Sequence, residues 1–515
     1  MDMRRDSWEV VDEVEGDVVV VESKRVKFPA KQHARAVAKR LGVTEGLIYL
    51  PGMPSLTYED SDQEVYFRQR RYFYYLTGLN YPDCVVTYNI KRDGLYVWIP
   101  PPNTGRSVIY NGNNPSKEDI KAVSEFDLVA TTTHIQDYLT FFASKENGKI
   151  FVLDNYQTPV IPNQINYKDG TTIELKPLFD FTLLKPSMDA ARVIKSPFEI
   201  SMIRKANAIT AEAHINVLRS IRTLENEAEI EAIFTATCIA AQAKNQAYGI
   251  IAGSGRNAST LHYGANNESL EGRQLVCLDA GCEWKNYASD VTRTFPISGK
   301  WTKEGKEVYN LVAKMQEECI AMVAPGVNYR NIQLHAHKVL VAGLLKLGLL
   351  QGGSFEEVLK SGVSVAFLPH GLGHYMGLEV HDMGAGGYLL SGLSRNTTHE
   401  EAQAVFHEML NAPETTNPSI LEVNSVITVE PGIYFSTFAL EEIYLPDPAY
   451  AKYINKDLLE KYYDVGGVRI EDDLLVTEDG YENLTTTPKG DEALKIILGE
   501  EGEESVKGGR KNWFW

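Results

Sequence analysis

No stretch of this chain approaches the ~20 consecutive apolar residues of a membrane-spanning helix, so a membrane partner is not expected. Met1–Glu15 is acidic and polar. It has neither the apolar core of a secretory signal nor the acid-poor make-up of an organelle transit peptide, and a cytoplasmic protein is the expectation. Positive charge is in deficit: 51 Lys and Arg stand against 69 Asp and Glu, a formal net charge of -18. Such a field repels phosphate backbones and anionic membrane surfaces, so no nucleic-acid partner is expected. Cysteine is sparse. The five are Cys84, Cys238, Cys277, Cys282 and Cys319, an odd number without a CxxC spacing, which read as reduced, buried thiols. Gly253-Ser254-Gly255 is followed by no P-loop lysine and leads towards a strand, so nucleotide binding has no support. No simple internal repeat is visible.

What is present is ample core material. The 515 residues are 43% apolar and 23% charged, the composition of a globular protein with more than one domain. Residues 1–185 alternate helical and strand patterns, which predicts a compact α/β domain. Lys31–Leu41 has helical spacing. Cys84–Ile90 and Leu95–Ile99 flank Lys91-Arg92-Asp93-Gly94, a hairpin signal, and Ile150–Asp154 reads as another strand. A boundary falls near Leu183–Lys195. Ser196-Pro197-Phe198-Glu199 then spells a capping box with proline in the first turn. Helical periodicity follows to Ile221 and from Glu227 to Ala243, then over Lys303–Val323 and Tyr329–Leu347, the last stopped by Gly348. Strands are predicted at Gln274–Asp279, Asp290–Phe295, Val426–Glu430 and Val468–Thr477. Residues 186–498 therefore form an α+β domain, and Gly499–Trp515 reads as a mobile tail.

The second domain collects acids and histidines. Leu278-Asp279-Ala280-Gly281 and Ser289-Asp290-Val291-Thr292-Arg293-Thr294-Phe295 read as strands joined by a loop short enough for an antiparallel pair. Asp279 would end one strand and Asp290 begin its partner. Two ionised carboxylates that close repel unless a cation lies between them, although alone they could equally be turn aspartates. In Pro369–Asp382, three of the eleven histidines (His370, His374, His381) fall within twelve residues among glycines, a density more typical of metal or catalytic sites. His335 and His337 sit two apart on a helix, facing different directions. They read as structural, as do His399 and His407. Glu430 closes an apolar run before Pro431-Gly432. Glu471 follows Arg469 by two residues, hence on the same face of a strand, and an acid among Ile, Val and Leu needs a partner, which a metal can supply.

In this order the segments resemble the pita-bread peptidases: prolidase, aminopeptidase P and methionine aminopeptidase. Phe67–Gly78 (FRQRRYFYYLTG) is similar to the amino-terminal domain of prolidase and aminopeptidase P. ASTLHY, LDAG, SDVTRTF, HGLGHYMGLEVHD, VEPGIYF and RIEDD follow the catalytic-domain series. The likeness covers nearly the whole chain and extends to fungal Xaa-Pro aminopeptidases. It implies a pita-bread (creatinase/aminopeptidase) catalytic domain behind the α/β domain. It also implies a dinuclear site for two divalent ions, in which Asp290 and Glu471 bridge, Asp279 holds one ion, and His374 with Glu430 holds the other. Four carboxylates to one imidazole suit Mn²⁺, with Co²⁺ able to substitute.

The resemblance further implies that His262, His370, His381 and Arg469 line the substrate site. Glu430 would move the proton of the attacking water, and His381 would help stabilise the oxyanion. The substrates would be peptides with proline at the second position, and a homodimer is carried over from the family. A prolidase acting on dipeptides, a non-catalytic pita-bread binding protein and a methionine aminopeptidase are the alternatives; the amino-terminal domain speaks against the last. The span from His381 to Glu430 is longer than the family pattern, and Asn411–Asn424 replaces a basic segment found in relatives. Prolidases place an arginine ahead of VEPG to hold a dipeptide's carboxylate. Here none lies between Asn396 and Glu430, the nearest before it being Arg395. Longer peptides are therefore the expected substrates.

Overall fold

The computed structural model describes residues 27–146, 148–166, 168–175, 178–383, 389–390, 396–411 and 419–500. Arg395 and residues 501–515 of the tail lie outside these, as does half of the Asn411–Asn424 segment, residues 412–418. The chain forms two compact units that meet in sequence at Arg192 and Val193.

The first unit is a mixed sheet with helices. Ala30–Leu41 is helical because His33, Ala34, Val37 and Leu41 form a buried stripe, and it ends at Gly42, whose φ of 69° is the left-handed cap that glycine adopts without strain. The strands are β1 (Leu47–Pro51), β2 (Val85–Asn89), β3 (Gly94–Ile99), β4 (Leu128–Thr131), β5 (Lys149–Phe151), β6 (Gln164–Asn166), β7 (Thr172–Glu174) and β8 (Leu178–Asp180). Six of them pair in the order β4-β3-β2-β1-β5-β8. The predicted hairpin is β2–β3, antiparallel with Tyr88 opposite Leu95 and Asp93 at φ 50° in the turn. The strand expected over Ile150–Asp154 stops at Phe151, because the chain soon turns into a short 3₁₀ segment at Asn155–Gln157.

In the second unit the sequence signals translate closely into helices. Ser196 accepts a hydrogen bond from the Glu199 amide, and the Glu199 carboxylate accepts one from the Ser196 amide at 2.8 Å, starting the helix Pro197–Ser220. Such a cap contributes about 1 kcal/mol. The helices Glu227–Ala240, Lys303–Ile320, Tyr329–Leu347 and Asp491–Leu498 follow in chain order. The strands are β9 (Asn245–Gln246), β10 (Ile251–Ser254), β11 (Leu275–Asp279), β12 (Cys282–Trp284), β13 (Tyr287–Ala288), β14 (Thr292–Pro296), β15 (Val426–Val429), β16 (Gly432–Tyr434), β17 (Gly467–Arg469), β18 (Asp472–Thr477) and β19 (Gly480–Asn483). The sheets β10-β11-β14, β13-β12-β9, β15-β18-β19 and β16-β17 are small.

Two cores back these sheets. Val217, Ile230, Phe234 and Ile496 from three helices cluster with Val276, Leu278 and Phe295 of β11 and β14. Val312, Met315, Ile332 and Leu340 from two others cluster with Ile427, Val429, Val468 and Leu474 of β15, β17 and β18. All five cysteines are free and buried. Among the described residues no helix is long and apolar enough to cross a membrane.

One expected strand is two. The run Val468–Thr477 breaks at Ile470–Glu471, where the chain leaves the β16 sheet and joins the β15 sheet. At the crossing the Ile470 amide donates to the Pro431 carbonyl and the Glu471 amide to the Thr292 carbonyl. Glu471 is thus not a same-face strand neighbour of Arg469; it sits in the junction between two sheets.

Candidate metal centre

Strand ends converge on one buried cluster of ligand atoms. β11 and β14 are antiparallel with Asp279 opposite Thr292, and Asp290 lies two residues ahead of β14. Its backbone amide donates to the buried Asp473 carboxylate at 3.0 Å, which fixes the approach to the strand. Glu430 follows the last residue of β15, and its amide donates to the Leu372 carbonyl at 2.8 Å. Gly373 lets the histidine segment lie against β15: a Cβ there would fall 2.1 Å from the Thr428 carbonyl oxygen. The contact is closed by the Thr428 amide donating to the His374 carbonyl and the His374 amide donating to the Thr428 hydroxyl.

The chain places side chains of all five predicted ligands within this cluster. Ligand atoms of Asp279, Asp290 and Glu471 lie within 4.8 Å of one another, as do those of His374, Glu430 and Glu471, and those of Asp290, His374 and His381. His374 donates its Nδ1–H to the Tyr375 carbonyl at 3.0 Å, which leaves Nε2 as the ligand atom, 3.3 Å from Asp290 and 3.5 Å from Glu430. Asp279 accepts from the Tyr248 hydroxyl at 2.6 Å and from Arg469 at 2.6 Å. Glu471 accepts from the Thr292 hydroxyl at 2.7 Å.

The electrostatics fit a cation. Burial, reinforced by the charges of Asp290, Glu430 and Asp279, raises the Glu471 carboxyl well above its ordinary range. Burial also raises Asp290, and burial with the neighbouring acids pushes Glu430 up to about 7. Burial would lower His374, but its hydrogen bond to Asp290 and the charge of Glu430 carry it up to about 9. Acids so crowded do not all ionise unless positive charge is added among them. Four carboxylates and one imidazole nitrogen are the donor set that a hard or borderline divalent ion takes up.

The remaining predicted residues surround this centre. His381 stacks edge-on against His374 with centroids 4.3 Å apart, and the charge of His374, then burial, lowers it to about 3. His370 donates from Nδ1 to the Gly371 carbonyl and accepts at Nε2 from the Tyr434 hydroxyl, both at 2.8 Å. Burial and the Arg469 charge hold it neutral, at about 4. His262 is exposed, and its charge is among those that lower His370 and His381. Arg469 is buried, and each of its three nitrogens already donates: to Thr292 at 3.1 Å, Tyr434 at 2.9 Å and Asp279 at 2.6 Å.

The histidines read as structural lie elsewhere. His337 is buried between Gln333 and Ser364, His335 pairs with Glu318 and His399 packs on Tyr444. Sequence reasoning did not single out Tyr248, Thr292 or Tyr434. The last two lie inside motifs it used, whereas Tyr248 carries no local signal.

Known proteins match over the same ground. The family model for metallopeptidase family M24 matches residues 201–478, and that for the aminopeptidase P N-terminal domain matches residues 30–151. A probable Xaa-Pro aminopeptidase of Sclerotinia sclerotiorum is 59% identical over 531 aligned residues, covering 99% of this chain and 96% of the relative. One of Botryotinia fuckeliana is 59% identical over 530, with the same coverage. Among solved structures, Escherichia coli aminopeptidase P with the inhibitor Pro-Leu superposes with a TM-score of 0.70 at 25% identity, covering 92% of this chain and 99% of that one. The zinc-substituted form of that enzyme in complex with product gives 0.71 at 24% identity, covering 93% and 100%, and shares the fold.

Proposed function

The chain belongs to metallopeptidase family M24, and on that premise we propose that it is an Xaa-Pro aminopeptidase, removing the first residue of peptides whose second residue is proline. The observation that carries this is the convergence of Asp279, Asp290, His374, Glu430 and Glu471 on one buried cluster behind an aminopeptidase P N-terminal domain. A scaffold that had lost catalysis would have no need of the full donor set.

Asp279, Asp290, His374, Glu430 and Glu471 would hold two divalent ions, and Mn²⁺ suits their oxygen-rich composition. When bound, such ions polarise the scissile carbonyl and lower the pKa of water. The protein's own groups would do the rest. Glu430 would take the proton of the attacking water and deliver it to the departing proline nitrogen. His381, at the exposed side of His374, would donate to the developing oxyanion. His370 would form a fixed wall, since both of its ring nitrogens are already engaged. Proline's nitrogen carries no hydrogen and its ring fixes φ, so recognition must rest on shape rather than on a bond to that nitrogen. His262 would border this pocket.

The test is hydrolysis of Ala-Pro-Ala by the purified chain with Mn²⁺ and with excess chelator, alongside elemental analysis. Proline-dependent cleavage that chelator abolishes, with two ions per chain, is expected. Stoichiometric metal without cleavage of any Xaa-Pro peptide would overturn the activity, and active protein without transition metal would overturn the mechanism.

A further inference from the structure

Glu227 opens the helix Glu227–Ala240, far from every ligand in sequence, yet its side chain is fully buried. One carboxylate oxygen accepts from the Ser254 amide at 2.9 Å, the Ser254 hydroxyl at 2.7 Å and the Asn257 side chain at 3.0 Å. The other accepts from the Tyr263 hydroxyl at 2.7 Å and the Glu268 amide at 3.1 Å. The Glu227 amide closes the circle by donating to the Glu268 carbonyl at 3.0 Å. Burial would raise this acid, but the hydrogen bonds outweigh burial and hold its pKa below the ordinary value.

All five acceptor bonds serve one segment. It leaves β10, whose first residue Ile251 is opposite Asp279, runs through the 3₁₀ turn Gly255–Ser259 and returns at Leu275 into the strand that bears Asp279. His262 lies in it, next to Tyr263. The segment has little regular structure of its own. A buried anion with five donors is a costly feature unless the donors need fixing. An apolar residue at 227 would pack the helix start without that cost, but would leave Ser254, Asn257, Tyr263 and Glu268 to find other acceptors.

We propose that Glu227 is a positioning residue: its carboxylate gathers the 254–268 segment so that His262 is held at the mouth of the metal centre, setting recognition of the residue that follows the scissile bond. This rests on the reading of His262 as part of the substrate site. Glu227 touches no ligand of the centre, so metal binding should be independent of it.

The experiment is a double-mutant cycle on the Mn²⁺-loaded full chain, with Ala-Pro-Ala as substrate. Glu227→Gln keeps the size but converts one accepting oxygen into a donor. It should lower kcat/KM by about 10- to 100-fold, chiefly through KM, with metal content unchanged. Tyr263→Phe removes a single bond and should shift KM in the same direction by a smaller factor, even if Glu227→Gln folds poorly. In a His262→Ala background, Glu227→Gln or Tyr263→Phe should add little. Equal fold-losses with and without His262 would reduce Glu227 to a structural role and overturn the proposal. So would a His262→Ala enzyme as active as wild type, while leaving metal-dependent Xaa-Pro hydrolysis itself standing. Absence of hydrolysis by the wild-type chain would instead strike the proposed activity.

Discussion

Arg469 supports two metal-ligand candidates at once. It donates to Asp279 directly at 2.6 Å, and to the Thr292 oxygen at 3.1 Å, while the Thr292 hydroxyl in turn donates to Glu471 at 2.7 Å. Partners 190 and 177 residues away in sequence are thereby fixed by one planar group. Removing it frees both carboxylates to rotate. Arg469→Met should weaken Mn²⁺ binding by about 10- to 100-fold, the usual cost of losing such an outer partner. Arg469→Lys should recover only part, because an ammonium cannot reproduce the planar fork that serves three oxygens. Titration with buffered Mn²⁺ reads this directly, and an unchanged Kd in Arg469→Met would refute it.

Asp290 and His337 are both buried and both lie in the second unit, yet they should behave differently. Asp290→Ala removes a carboxylate that belongs to two of the three clustered trios, and should lower metal content and cut turnover by orders of magnitude. His337→Ala should leave metal stoichiometry intact. It takes one of Gln333's hydrogen bonds, leaves the Ser364 hydroxyl without its ring partner and opens a space beside Phe406, which should cost roughly 2–4 kcal/mol of stability. Elemental analysis and thermal denaturation of the two variants separate these outcomes. Equal loss of metal in both would mean that the ligand assignment is wrong.

His337 also sets a pH dependence. Burial lowers its pKa to about 3, so the folded chain favours the neutral ring. A base with a depressed folded pKa contributes stability that is complete above its unfolded value near 6.5 and is lost as pH falls towards 3. The slope is ~1.4 kcal/mol per pH unit within that window. His337→Asn keeps a polar side chain without the titration. Between pH 6.5 and 5.5, where the unfolded ring is only beginning to protonate fully, the wild-type chain should therefore lose about 1 kcal/mol more than the variant, measured by denaturant unfolding. Coincident pH profiles would show that the ring is not held neutral.

Much of this site could be read from short tags, because a tag records residues that one strand end or tight turn presents together. LDAG, SDVTRTF and VEPG each end or begin a strand, so Asp279, Asp290 and Glu430 announce themselves. The capping box at Ser196 is legible for the same reason: all of its chemistry lies within four residues. What was not legible is pairing across distance. Tyr248 touches Asp279 with no local pattern to mark it, and Tyr434 joins Arg469 to His370 although the two lie on different elements. The break at Ile470–Glu471 was invisible because Val468–Thr477 looks like one continuous strand. Only the identity of the neighbouring strands, β16 before the break and β15 after it, imposes the crossing.

Substrate length follows from the same arginine. A dipeptide such as Ala-Pro carries its free carboxylate into the site, where it must exchange water for a cation and hydrogen-bond donors. A bidentate guanidinium is the strongest such partner. Arg469 is poorly suited to that task, since it is buried and each of its three nitrogens already donates, to Thr292, Tyr434 and Asp279, which fixes the plane of its fork. No arginine occurs between Asn396 and Glu430, and Arg395 lies outside the described residues. A tripeptide avoids the penalty, because its chain continues outward and its carboxylate stays in water. The expected outcome is a higher kcat/KM for Ala-Pro-Ala than for Ala-Pro under identical Mn²⁺. An uncompensated carboxylate costs about 1–3 kcal/mol, a preference of roughly 5- to 150-fold. A clear preference for the dipeptide would mean that another cation, Arg395 first among the candidates, meets the carboxylate, and that the enzyme is a prolidase. Arg395→Ala would then have to abolish that preference.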